Sequence, residues 1–167
     1  MGLGQTLLSI FALALLGTVI MMMNNTTLDS GSSVETSQYL IMATSLGISQ
    51  IETASGKAFD QNTVSSDISS PASLTVNLGS ETGETEATFN DYDDFNGFSK
   101  WVNGDSVNFR SANFLIRDSV DYVTVSSNAV IHSASRTYHK RLQVWVSSPF
   151  MKDTLKFSSI YSYWYFR

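Results

Sequence analysis

The 167-residue chain has no cysteine, which rules out both a disulfide framework and a thiolate metal site. No charged side chain precedes Asp29, and no proline precedes Pro71. Charged residues make up only 15% of the chain, so its polar character rests mainly on Ser, Thr and Asn, the usual composition of a surface working outside the cytoplasm. Bases are nearly missing from the first 99 positions, which hold eleven acids against Lys57 alone. From Lys100 onward the balance reverses, with four acids and nine bases. Such an asymmetry describes either two solvated faces of opposite sign or copies that meet acidic face to basic face. There is no G-x-S-x-G and no Gly-rich phosphate loop, so no motif points to hydrolase or nucleotide chemistry. His132 and His139 lack a third ligand at metal-site spacing and read as surface histidines.

What the chain does have is a long apolar opening, MGLGQTLLSIFALALLGTVIMMMNN. Only Ser9, Gly17 and Thr18 interrupt it between Leu7 and Met23. A helix needs about 20 apolar residues to cross the hydrocarbon core of a bilayer, and this segment supplies them. An ordinary secretory signal carries a basic start and a small-x-small cleavage site, and neither is present. A core helix of a small domain shows a polar stripe, whereas this one is apolar all round. The segment therefore reads as a membrane span.

Gly4-Gln5-Thr6-Leu7-Leu8-Ser9, placed just ahead of that span, resembles the processing site of type IV prepilins and type II secretion pseudopilins. The resemblance implies that a prepilin peptidase cuts after Gly4, so that residues 1–4 are a leader and Gln5 is the mature N-terminus. Residues 5–28 would be the transmembrane helix and later the filament core, with Thr6, Leu7, Leu8 and Ser9 packing on neighbouring helices. The implied partners are copies of the chain or related pilin subunits, the peptidase, and an assembly platform in the inner membrane. The implied role is assembly of an envelope filament and not catalysis, with the soluble part outside the cytoplasm. Ser9 stands where the family commonly has a glutamate, and no proline bends the span, which implies a minor or atypical subunit. The alternative reading is a signal-anchored envelope domain for binding or adhesion outside any filament. A membrane-anchored hydrolase is a weaker third.

Beyond the span, Asn24-Asn-Thr-Thr-Leu-Asp-Ser-Gly-Ser-Ser33 is rich in turn and cap formers and predicts a weakened or interrupted helix. Leu40, Ala43, Gly47, Ile51, Ala54 and Ala58 then recur at helical steps, so residues 29–60 read as an amphipathic second part. Residues 61–167 read as a β-rich soluble domain, entered through a Ser- and Asp-rich loop from Gln61 to Ala72. Strands are expected at 74–78, 107–116, 120–125, 141–146 and 155–166. Leu142, Val144 and Val146 alternate with Arg141, Gln143 and Trp145, as in a strand with one buried face. Ser147-Ser-Pro149 separates the last two strands and suggests a terminal antiparallel pair. The fold class is thus α+β, a long N-terminal apolar helix continuing into an amphipathic helix on an antiparallel sheet.

Three stretches carry candidate chemistry. Asp91, Asp93, Asp94 and Asn96 offer hard oxygens in one loop, with Gly97 for a sharp turn, as a Ca²⁺ site needs. Phe95 occupies a ligand place of the EF-hand pattern and no glutamate follows, so that motif is excluded. The plainer reading is a loop anchored by Tyr92, Phe95 and Phe98. Arg136-Thr-Tyr-His-Lys-Arg141 interleaves bases with aromatics and can be read as a nucleic-acid grip. The acidic chain and small footprint favour instead an inter-subunit role for Arg136, Lys140 and Arg141 against a neighbour's acidic region from Glu81 to Asp94. The aromatic end, Tyr161 to Arg167, places Tyr161, Tyr163 and Tyr165 on one strand face and reads first as sheet packing.

Overall fold

The computed structural model describes residues 2–103 and 112–163, which divide into two compact units, residues 1–39 and 40–167. One helix, α1 (Leu3–Ser55), supplies most of the first unit and the opening of the second. The expected interruption at Asn24–Ser33 is absent, and the helix runs through it. The reason is local. Thr26 and Thr27 donate their hydroxyls to the carbonyls of Met22 and Met23, and Ser33 and Ser37 donate to those of Asp29 and Ser33. Side chains that compete for the backbone in a turn are here folded back onto the helix's own carbonyls. No proline removes a helical N–H, so nothing forces a stop.

Within the first unit no described residue of α1 is buried. Leu7, Leu8, Phe11, Leu13, Met21, Met22 and Met23 are all exposed. The helix is long and apolar enough to cross a membrane, and its most apolar stretch is exposed.

In the second unit the last turns of α1 lie on an antiparallel sheet. The strands are β1 (Ser99–Asn103), β2 (Asn113–Val125), β3 (Val130–His132), β4 (His139–Ser147) and β5 (Leu155–Ser162). Their order is β1-β2-β4-β5, with β3 paired to the far end of β2. The α+β class read from the sequence is therefore the one observed. The two strands expected at 107–116 and 120–125 are one, β2, because the alternation of Phe114, Ile116, Asp118, Val120 and Tyr122 on the buried face never breaks. Residues 107–111 of that expectation lie outside the described residues. The terminal antiparallel pair is β4–β5, joined across Pro149. The strand expected at 74–78 does not form. The Thr75 amide binds the Asp60 carboxylate, and the carbonyls of Ala72 and Leu74 accept from Arg136, so its backbone is engaged by side chains instead of a ladder. Val76 is left in solvent.

The helix meets the sheet through Ala43, Gly47, Gln50 and Ala54, all buried. The helix stops at Ser55, where Gly56 breaks the pattern, and Ala58 goes on to bridge Asp91. Phe59, Ile68, Leu74 and Tyr122 form a core cluster, and Tyr138, Tyr161 and Tyr163 pack against it. Tyr161 and Tyr163 thus pack on the core cluster through the ring of Phe59, while residues 164–167 lie outside the described residues.

Candidate functional site

Every residue of the acidic loop and the basic stretch has a definite environment, and the two come together inside one chain. Alternation along β4 puts Lys140 on the same face as Leu142, Val144 and Val146, where it is fully buried. Its ammonium donates to Asp60 Oδ2 at 2.8 Å, to Asp93 Oδ1 at 2.5 Å and to the Phe59 carbonyl at 2.8 Å. Three acceptors satisfy the three protons of an ammonium. The rings of Phe59 and Tyr122 flank the charge at 4.7 and 5.3 Å. Both carboxylates are as deeply buried as the lysine. Thr75 Oγ1 lies 2.7 Å from Asp60 and 2.8 Å from Asp93, and its single proton serves one of them at a time. Burial alone would push Asp60 up, but the Lys140 ammonium and hydrogen bonds from Lys140, Thr75 and Asn62 outweigh it and hold the carboxyl below its ordinary value.

The inter-subunit use of Lys140 is therefore overturned, since a buried ammonium with three internal partners offers nothing to a neighbour. Arg141 faces the other side of β4 and forms a two-pronged pair with Asp121. Arg136 is committed to the carbonyls of Ala72 and Leu74. The acidic partners meant for these bases, Asp91, Asp93 and Asp94, are buried as well.

The four oxygens expected to share one cation are likewise dispersed. Asp93 is bound to Lys140. The Asn96 side chain donates to the Leu78 carbonyl and accepts from the Val120 amide, which ties the loop to β2. Asp91 caps the following turn by accepting from the amides of Asp93 and Asp94. Burial and the neighbouring Asp93 charge push its carboxyl up to about 9. Only Asp94 enters a group of converging carboxylates. Its companions are Glu81 and Glu84, with the offered oxygens all within 4.8 Å of one another.

A turn brings those two glutamates together. The Glu84 amide donates to the Glu81 carbonyl, the Glu84 carboxylate accepts from the Glu81 amide, and Gly83 sits at φ +93°. That backbone angle suits glycine and strains other residues. Asn90 Nδ2 holds Glu84 Oε1 at 2.9 Å, and the amides of Asn90 and Asp91 hold Asp94 Oδ2. Burial first, then Glu84 and Asp94, raise the Glu81 carboxyl to about 7. Burial and Glu84 raise Asp94 as well. Neither glutamate stood out in the sequence, because their partner lies ten or more positions away. The signal for Lys140 was the alternation of β4, which carried one step back from Leu142 places it inside, but the basic stretch around it was read as surface.

A further buried acid lies under the helix. Asp118 on β2 accepts from the Gln50 amide at 2.5 Å, and burial raises its carboxyl to about 7 against the pull of Gln50 and Lys100. A carboxyl raised in the folded state favours folding most where it is protonated, below its unfolded value of 3.8, and that contribution is lost as pH rises through about 7. The thermal midpoint should fall between pH 5 and pH 8. Asp118→Asn, which keeps an acceptor for Gln50, should flatten that slope by on the order of a few kcal/mol. Melting curves across the range test this, and an unchanged slope in the variant would show that Asp118 does not carry it.

No family model, curated protein or solved structure matches the chain. What fold and site define is a class by architecture: an apolar helix able to cross a membrane, joined to an α+β unit with buried charge networks.

Proposed function

We propose that this chain is a structural subunit of an envelope filament of the type IV pilus or type II secretion pseudopilus kind, and a minor or atypical one. The observation that carries the reading is the bare apolar surface of α1 from Leu3 to Met23. Each large apolar side chain withdrawn from water is worth about 1.5–3 kcal/mol, so a dozen of them require an apolar surrounding. Lipid provides it before assembly, and the helices of neighbouring copies provide it in a filament. Gly4, Gln5, Thr6 and Ser9 then serve processing and helix contact, and the α+β unit coats the outside of the filament, beyond the cytoplasm. Ser9 donates its hydroxyl to the carbonyl of Gln5, which the cleaved chain retains, so it enters an apolar bundle with its polar group satisfied.

The test is the intact mass of the protein produced with and without a prepilin peptidase. Loss of residues 1–4, dependent on the peptidase and blocked by Gly4→Asp, is the expected result. Uncleaved Met1 in assembled protein would overturn the reading. Uncleaved protein that stays monomeric in the membrane would favour a tethered binding domain.

A further inference from the structure

Lys140, Asp60, Asp93 and Asp91 bring one amine and three carboxyls into a space closed to water. Lys140, Asp60 and Asp91 have no exposed surface, and Asp93 has almost none. Asp93 Oδ1 is the closest of the three acceptors around the amine, at 2.5 Å, ahead of Asp60 Oδ2 and the Phe59 carbonyl. The two carboxyls are held differently. Asp60 also accepts from the amides of Asn62 and Thr75, which favour it as an anion. The Asp93 side chain takes no backbone amide among the described residues, and shares the Thr75 hydroxyl with Asp60. Asp91 interacts with the Asp93 carboxyl, and its own Oδ2 is buried without a donor. Burial and the Asp93 charge both favour a proton on Asp91. One ammonium between two carboxylates leaves a net negative charge in the interior, which is costly. Joining the amine to one carboxyl removes two of the three charges.

We propose that Lys140 and Asp93 condense into an intramolecular amide, Nζ to Cγ, in a reaction the folded chain carries out on itself. Nζ forms the new bond to Cγ as the bond from Cγ to Oδ2 breaks. Two protons leave Nζ by way of Asp60 and the Thr75 hydroxyl, which lies between Asp60 Oδ2 and Asp93 Oδ2, and they depart with Oδ2 as water. The first proton to leave frees the lone pair for attack. Oδ1 stays as the amide oxygen, Nζ keeps one hydrogen, and nothing is oxidised or reduced. A proton on Asp91 polarises the Asp93 carboxyl toward attack and is still there at the end. Free amines and acids condense slowly in water, but groups held in contact can reach effective molarities of about 10⁵–10⁸ M. The walls of Phe59 and Tyr122 keep solvent from the pair. The bond would bridge 47 positions and tie the turn at Asp93–Phe95 to β4, a covalent staple in a chain with no cysteine for a disulfide. The groups all lie in the second unit, so the bond does not depend on the filament reading.

The experiment uses the full chain in detergent micelles, shown to melt cooperatively, then denatured and measured by intact mass spectrometry. The mass should fall short of that of the sequence, less any leader removed, by one water. After proteolysis, fragmentation should reveal a branched peptide that joins the segments around Asp93 and Lys140, with no tryptic cut after Lys140. Lys140→Arg and Asp93→Ala should each keep the water. Asp91→Asn retains an oxygen for the amides of Asp93 and Asp94 but has no acidic proton. Followed from cell-free synthesis in detergent, it should form the bond about a hundredfold more slowly than the parent. A folded parent of full sequence mass would overturn the proposal. So would a water loss traced to an aspartyl succinimide, or a branch at Asp60. Bond formation in Asp91→Asn as fast as in the parent would overturn the part given to Asp91.

Discussion

Lys140→Met is expected to leave the second unit largely unfolded. Removing one partner of a buried ion pair costs about 3–5 kcal/mol, because the other charge is stranded in a low-dielectric interior. Here two carboxylates, Asp60 and Asp93, lose the same ammonium, and the Phe59 carbonyl loses its donor. Domain stability is commonly only about 5–15 kcal/mol, so the loss takes most of it. The triple variant Lys140→Met, Asp60→Asn, Asp93→Asn removes the stranded charges and should recover a substantial part. Urea denaturation followed by tryptophan fluorescence measures both. A single variant within about 1 kcal/mol of the parent would contradict the network's importance, since surface ion pairs are worth that little.

The second large effect is expected where the helix touches the sheet. A Cβ at Gly47 would collide with two ring carbons of Phe157 on β5. In an exposed helix, Gly→Ala is worth about 1 kcal/mol of stability. At position 47 the sign should reverse, with Gly47→Ala costing about 1–3 kcal/mol, typical of overpacking. Gly47→Val should cost more. Trimming the ring in Gly47→Ala, Phe157→Leu should restore stability, and a double-mutant cycle isolates the coupling. A stability gain from Gly47→Ala alone would show that the Phe157 ring swings aside freely.

The sequence by itself determined whatever depends on neighbours along the chain. The apolar opening reads as a helix able to span a membrane because length and composition suffice. The stripe Ala43, Gly47 and Ala54 gives the helical face, and Leu142, Val144 and Val146 give a strand with one side buried. The tertiary structure decided how polar groups are satisfied, because their partners lie far off in sequence. Thr26, Thr27 and Ser33 looked like helix breakers, yet bond to the helix itself. Leu74 to Leu78 has a strand's alternation, but Asp60 and Arg136 claim the backbone at its start. Lys140 looked like a surface charge in a basic stretch, and became the centre of the fold only when Asp60 and Asp93 reached it from 80 and 47 positions away. Asp91, Asp93, Asp94 and Asn96 looked like one cation site because they are adjacent in sequence. Folding gave three of them other work and left Asp94 to converge with Glu81 and Glu84. Apolar burial follows a period that a sequence displays. A charge is placed by the partner that can neutralise it, and that partner is chosen by the fold.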